Sequence, residues 1–315
     1  MKLNGKFLVT GGAGFIGSHL AEQLLDRGGE VTILDIKAPL AAQDARFVAG
    51  STLDIDLVDR LVKEHDVVFH LAALLGVKTT MEQPAEMIEN NLLGTRNILK
   101  SALQHHRKVV FASTSEVYGK GNPPFPEHSD VLFGPTMKLR WSYAAAKLVE
   151  EFLCLSYGRK GLPVTVVRYF NVYGPRQKEG PYGGVVPKFI TAALSGQDIT
   201  VYGYGTQTRC FIYVDDAVRA TILSLREEAD QQIINIGTED EITISELARL
   251  IKSLSGSSSK ICNIPYEQAF PYGFEEIPRR LPDTGKLQKL LGFKPSAGLA
   301  EGLSQTVDWY RNSVR

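Results

Sequence analysis

The chain has no surplus of either charge: 35 Lys and Arg residues face 35 Asp and Glu in 315 residues. That balance gives no reason to expect nucleic acid or an acidic membrane surface as a partner. No apolar run is long enough to span a bilayer, and the opening Met-Lys-Leu-Asn-Gly lacks the apolar core of a signal peptide. Cysteine is scarce. Cys154, Cys210 and Cys262 lie far apart without metal-like clustering, and the 6 histidines show no ligand spacing. No metal is therefore expected, and the thiols are expected to be reduced and mostly packed, as in a cytoplasmic protein. Internal repeats are lacking as well. The one low-complexity patch, Ser253–Ser259, reads as a loop after a helix, and His105-His106 as the polar end of another. The length suffices to bury a large core, as one domain or two unequal ones.

What is present begins near the N-terminus. The short apolar strand Lys6–Thr10 runs into Gly11-Gly12-Ala13-Gly14-Phe15-Ile16-Gly17. An amphipathic helix with Leu20, Leu24 and Leu25 follows, then a strand that ends at Asp35. Glycines let the backbone approach a pyrophosphate, and the helix N-terminus faces the anion. Gly11, Gly14, Phe15, Ile16 and Gly17 are thus candidate dinucleotide contacts. Asp35 would accept from the adenosine 2′-OH and repel a 2′-phosphate, which favours NAD over NADP, with Lys37 softening the preference.

Strands alternate with helices to about residue 170. Strands are expected near 6–10, 30–35, 45–48, 67–70, 107–113 and 163–169, and helices near 14–27, 54–64, 84–105 and 142–160. Val67-Val-Phe-His70 and Val109-Val-Phe-Ala112 are apolar without alternation, as in a parallel sheet covered on both faces. The fold class is therefore α/β, a doubly wound parallel sheet of the Rossmann kind. After Asn171, Gly-Pro and Gly-Gly pairs break the pattern, so a smaller part begins there. A last helix is expected near 299–312.

Tyr143 and Lys147 lie four apart at the start of the fourth helix, so the phenol and the ammonium share one face. A free phenol is a poor base at pH 7, and a nearby positive charge brings its pKa toward the working range.

These motifs occur in order with His70-Leu-Ala-Ala73, Asn91–Thr95, Ser113–Gly119, Arg168–Arg176 and Thr208–Asp216. Over nearly its whole length the chain resembles the extended short-chain dehydrogenase/reductases of the nucleotide-sugar epimerase/dehydratase family. The resemblance implies an NAD-binding domain of 1–170 plus about 212–237, the latter returning a strand to the cofactor sheet. It implies a smaller C-terminal nucleotide-sugar-binding domain of about 171–211 plus 238–315. Leu71, Ala72, Ala73 and Asn91 would line the cofactor beside Tyr143 and Lys147. Asp54 falls near the adenine contact, although Ser51 replaces the aspartate usual there.

The implied chemistry is redox-neutral modification of a nucleoside-diphosphate sugar, UDP-linked by preference, through a transient 4-keto intermediate. Tyr143 would deprotonate the sugar hydroxyl, Lys147 would hold the nicotinamide ribose and Thr114 would bond the same hydroxyl. Glu116 distinguishes the reactions. A carboxylate there suits removal of the C5 proton, so a 4,6-dehydratase is the expectation. Ser115 stands where thymidine-sugar dehydratases have an aspartate, and guanosine-type ones keep Thr-Ser-Glu. A 4-epimerase or a UDP-uronic acid decarboxylase is the alternative. Arg140-Trp141 occurs in one decarboxylase branch, where Arg280 would act as proton donor. A net reductase and a non-catalytic, cofactor-bound sensor or scaffold are further readings. Asn171, Arg209 and Arg280 would hold the pyrophosphate, with Arg279 competing for the place of Arg280. The family also implies a homodimer through the helices near 84–105 and 142–160, with Ile88, Leu92, Ile98, Leu99, Leu148, Phe152 and Leu155 as candidates for the face.

Overall fold

A computed structural model describes residues 2–178, 184–269 and 275–313. β1 (Lys6–Thr10), α1 (Phe15–Asp26), β2 (Glu30–Asp35), β3 (Arg46–Ala49) and α2 (Ile55–Glu64) come first. They are followed by β4 (Val67–His70), α3 (Val77–Glu82), α4 (Pro84–Gln104), β5 (Lys108–Thr114), α5 (Trp141–Gly158) and β6 (Val164–Tyr169). After the sixth strand the elements shorten: β7 (Val172–Tyr173), α6 (Val185–Leu194), β8 (Ile199–Tyr202), β9 (Thr208–Cys210), β10 (Ile212–Tyr213), α7 (Val214–Leu223) and β11 (Ile233–Ile236). The chain then continues through β12 (Glu241–Thr243), α8 (Ile244–Ser255), β13 (Ile261–Ile264), α9 (Tyr266–Ala269), β14 (Arg279–Arg280), α10 (Gly285–Leu291) and α11 (Leu299–Ser313). Among the described residues no helix is long and apolar enough to cross a membrane.

Seven parallel strands form the main sheet, in the order β11-β6-β5-β4-β1-β2-β3. Side chains alternate across it, so neighbours in sequence enter different cores. Phe7 and Val9 of β1 join the layer of α1 and α7, and Leu8 joins that of α2, α4 and α5. Both faces are covered, which is why the strands read as unbroken apolar runs. The switch point, where β1 leads away on one side and β4 on the other, opens at the C-terminal strand ends.

Two sequence expectations change. The stretch after residue 253 is not all loop: α8 continues to Ser255 and ends on Gly256 in the left-handed conformation (φ 65°). Ile98 and Leu99 are fully buried in the core rather than on an outer helix face. The short strands beyond β6 bring two arginines together. β14 runs parallel to β9, and the register sets Arg280 beside Arg209.

Candidate active site

The glycine loop is shaped by close approach. Gly11 has φ +72°, and a Cβ on it would lie 2.7 Å from the Ala72 nitrogen. A Cβ on Gly17 would fall on the Gly11 carbonyl oxygen. No side chain caps α1 at Gly14, so the first-turn N–H groups at Phe15, Ile16 and Gly17 are open to an anion. Asp35 closes the loop: its carboxylate accepts from the Ala13 N–H at 3.0 Å and the Lys37 N–H at 3.1 Å. This cradle fits a dinucleotide pyrophosphate and a ribose. Leu71, Ala72 and Ala73 continue from the end of β4, where the Ala72 N–H reaches Thr10 Oγ1 at 3.3 Å.

Two expected cofactor residues also hold the backbone around them. Asn91 bonds both backbone groups of Leu74, at 2.7 and 2.9 Å, and so fixes the path that follows β4. Asp54 is the N-cap of α2, with its carboxylate accepting from the Leu57 N–H at 3.0 Å.

The catalytic candidates meet where β5 ends and α5 begins. Thr114 terminates β5 and caps the 3₁₀ turn Ser115–Tyr118, accepting from the Glu116 N–H at 3.2 Å. Ser115 is buried and Tyr143 half-buried. Lys147 is buried, with its Nζ 4.5 Å from the centre of the Phe111 ring. The ammonium donates to the Ala112 carbonyl at 3.2 Å and to Glu150 Oε2 at 3.1 Å. This corrects the expected electrostatics. Burial first, then the carboxylates of Glu150 and Glu116, push the Tyr143 phenol above its ordinary value. The charge of Lys147 is shared with Glu150, which the Tyr-x-x-x-Lys spacing does not reveal.

Below Tyr143 and Lys147, the carboxylates sort by partner. Glu151 is paired with Arg168 at 2.7 Å and takes the Ser113 hydroxyl at 2.5 Å. Glu150 takes the Thr95 hydroxyl at 2.7 Å. Burial, then the charge of Lys147, lowers the His70 imidazole to about 3, so it is neutral.

A cavity of about 580 Å³ is lined by Glu116, Arg140, Asn171, Arg209, Glu276 and Arg280, among others, so Glu116 is the catalytic candidate that borders it. Arg280 donates to Glu116 Oε1 at 2.7 Å, and Arg140 to Oε2 at 3.3 Å. Burial alone would raise the Glu116 carboxyl. The charges of Arg280 and Arg140, with Arg209 behind them, outweigh it and bring the group down to about 2. Arg209 pairs with Glu276, and Arg140 also donates to the Glu275 carbonyl. Arg279 turns away to Glu241 at 2.6 Å and is outside the cavity lining. Asn171, at φ 41°, donates to the Cys210 carbonyl at 2.8 Å. Arg176 is held against α1 by Glu22 at 2.6 Å.

The contacts of Arg140 and Glu276 in this cavity, and the Glu150–Thr95–His70 chain, carry no local sequence signal. Only the Arg140-Trp141 pair ahead of Tyr143 hinted at the first. The three cysteines are free thiols, two buried and one half-buried.

A family model described as the NAD dependent epimerase/dehydratase family matches residues 7–237. The chain is 56% identical over 311 residues to a UDP-N-acetyl-alpha-D-glucosaminuronate decarboxylase of Bacillus cytotoxicus, covering 96% of this chain and 97% of that protein. Its fold is similar to that of the UDP-glucose 4-epimerase of Thermotoga maritima, solved with UDP-glucose: TM-score 0.89, 32% identity, covering 98% of this chain and 100% of that one. It is also similar to that of the UDP-glucuronic acid 4-epimerase of Bacillus cereus, solved with UDP-glucuronic acid and NAD: TM-score 0.84, 29% identity, covering 98% and 99%.

Proposed function

The chain belongs to the NAD-dependent epimerase/dehydratase family, and from that premise we propose that it decarboxylates UDP-N-acetylglucosaminuronate. Its broader activity, NAD-dependent modification of a nucleotide sugar, follows from the family. The observation that carries the finer reading is the state of Glu116. Clamped by Arg280 and Arg140 and lowered to about 2, this carboxylate is a weak base. Dehydration needs a base for the C5 proton. Decarboxylation does not. The 56% identity to a decarboxylase supports the same choice.

In this reading Tyr143 takes the proton of the sugar 4-hydroxyl, which Thr114 also bonds. Bound at the glycine loop, NAD supplies the hydride acceptor for C4 and later the donor. With a ketone at C4, the C6 carboxylate is that of a β-keto acid. The C5–C6 bond breaks, its electron pair enters the C4 carbonyl, and carbon dioxide leaves. The resulting C4–C5 enolate takes a proton from water at C5, and Tyr143 returns its proton to the C4 oxygen as C4 is reduced. Overall, one carboxylate is exchanged for one hydrogen at C5.

The chain's own residues suit such a substrate. Three guanidinium groups, Arg140, Arg209 and Arg280, and the Lys188 ammonium line the cavity with three carboxylates, Glu116, Asp198 and Glu276. The surplus cation matches the anionic diphosphate and uronate groups. Glu116 keeps Arg280 aimed into the cavity, where a guanidinium stabilises the enolate. Asn171 and Arg209 would hold the diphosphate. We assign the cofactor to residues 1–170 and 212–237, and the nucleotide sugar to about 171–211 and 238–315.

The second copy of a homodimer would sit on α4 and α5. Ile88, Leu93, Val149 and Phe152 on these helices are exposed, Phe152 at 63%.

The test is product mass after incubation with UDP-N-acetylglucosaminuronate, UDP-glucuronate and a dTDP-hexose. The expected result is loss of carbon dioxide, fastest with the acetamido sugar. Loss of water would restore the dehydratase reading. An unchanged mass with inversion at C4 would establish an epimerase.

A further inference from the structure

Lys147 shares a face of α5 with Tyr143 and is tied by two hydrogen bonds of its own. An ammonium has three donors. One goes to the Ala112 carbonyl and one to Glu150, and the ammonium also lies 4.5 Å from the centre of the Phe111 ring, so at most one N–H remains for the phenol. Glu150 is 0% exposed. A buried carboxylate is costly unless it is paired and hydrogen-bonded. Here Lys147 and the Thr95 hydroxyl share one oxygen, Oε2, and Oε1 has no hydrogen-bond partner among the described residues. The proton order beyond Thr95 is then determined. The Thr95 hydroxyl donates to Glu150, so its oxygen accepts from His70 Nε2–H at 3.0 Å. His70 Nδ1 in turn accepts from the Thr10 hydroxyl at 2.7 Å. A neutral imidazole with its proton on Nε2 satisfies both ring nitrogens and both threonine hydroxyls. The chain runs from the end of β1, beside the glycine loop, through β4 and α4 to Lys147.

We propose that Glu150 is a positioning residue for the catalytic pair: it holds the Lys147 ammonium under Tyr143 and sets how much of its positive charge reaches the phenol. The inference rests on Tyr143 acting as base with Lys147 as its partner, and it is independent of which sugar reacts. The groups that face Glu150 are Lys147, Tyr143 and Cys154 on α5, Thr95 on α4 and, behind it, His70 on β4. The neighbouring Glu151 is neutralised by Arg168. Burial and then Glu150 raise the phenol, so removing this carboxylate's charge lowers it.

The test is a pH titration of the NAD-loaded protein without sugar, following phenolate absorbance. Wild type, Glu150→Gln and Glu150→Asp are each compared with the same protein carrying Tyr143→Phe, which isolates the one phenol. The expected result is a midpoint lower by about one unit in Glu150→Gln, the scale of a nearby charge. Glu150→Asp, which keeps the charge, stays near wild type. The rising limb of kcat/KM moves to lower pH by the same amount. A folded Glu150→Gln protein with an unmoved midpoint overturns the proposal. A moved midpoint in a protein that decarboxylates no uronate refutes the proposed reaction and leaves this inference standing. If Glu150→Gln does not fold, the pair is tested by denaturation. Lys147→Met strands a buried carboxylate and loses stability, and adding Glu150→Gln recovers at least half of the loss. No recovery overturns the proposal as well.

Discussion

Replacing Glu116 by Gln removes one charge from between two guanidinium groups. The carboxyl is lowered from an ordinary 4.5 to about 2 by Arg280, Arg140 and Arg209, against the opposing effect of burial. Such a depression corresponds to about 3 kcal/mol of folding stability for a fully dry pair. The Glu116 side chain keeps 28% of its exposure and faces an open cavity, so screening brings this to about 1–2 kcal/mol. The sign follows from the direction of the shift. A carboxyl lowered by folding contributes stability that is fully present above 4.5 and is lost as pH falls toward 2. Denaturant unfolding of the cofactor-free protein should therefore show Glu116→Gln weaker than wild type at pH 7. At pH 3 less than about half of that difference should remain. All other titrating groups are common to the two proteins and cancel. A difference equal at pH 7 and pH 3 would refute the ion-pair account of Glu116. The same variant separates the reactions. If Glu116 were the C5 base, turnover would fall by about 10²–10⁴-fold and reduced cofactor would accumulate. If it only aims Arg280, carbon dioxide release should slow by about tenfold, without trapped reduced cofactor.

Two further outcomes follow from the cofactor loop and from the outer helices. NAD at about 100 times its dissociation constant should stabilise the protein by about 2.7 kcal/mol. NADP should stabilise it much less, because Asp35 stands at the end of β2 against the loop; equal thermal shifts would refute that assignment. Phe152→Lys should give a monomer by light scattering at micromolar concentration, where wild type should be a dimer. A wild-type monomer, or a dimer that survives the substitution, would show that the exposed α4–α5 face is not the interface.

The Rossmann sheet was legible because its signals are local. Apolar runs, glycine spacing and helix periodicity each act within one element, and the strands and helices expected up to residue 170 lie within a residue or two of those found. Even the return of β11 to the edge of the sheet was implied by family resemblance, and it pairs with β6. The ends of elements were less legible. α8 runs three residues into the serine patch, since Gly256 supplies its left-handed stop. Ile98 and Leu99 could have faced outward on periodicity alone, because α4 carries apolar side chains on more than one side.

By itself the sequence determined the fold class, the glycine cradle and the shared face of Tyr143 and Lys147. Each depends on residues a few positions apart, where helix and strand geometry leave little freedom. Tertiary structure decided the chemistry around them. Arg280 meets Glu116 across 164 positions, and it does so because β14 pairs in register with β9. Arg279, its neighbour, alternates to the other side and binds Glu241. Glu150 reaches Thr95 on another helix 55 positions away and thereby changes what Lys147 can do for Tyr143. Charge acts through space and burial magnifies it, so the acid–base character of these groups depended on contacts that spacing along the chain does not encode.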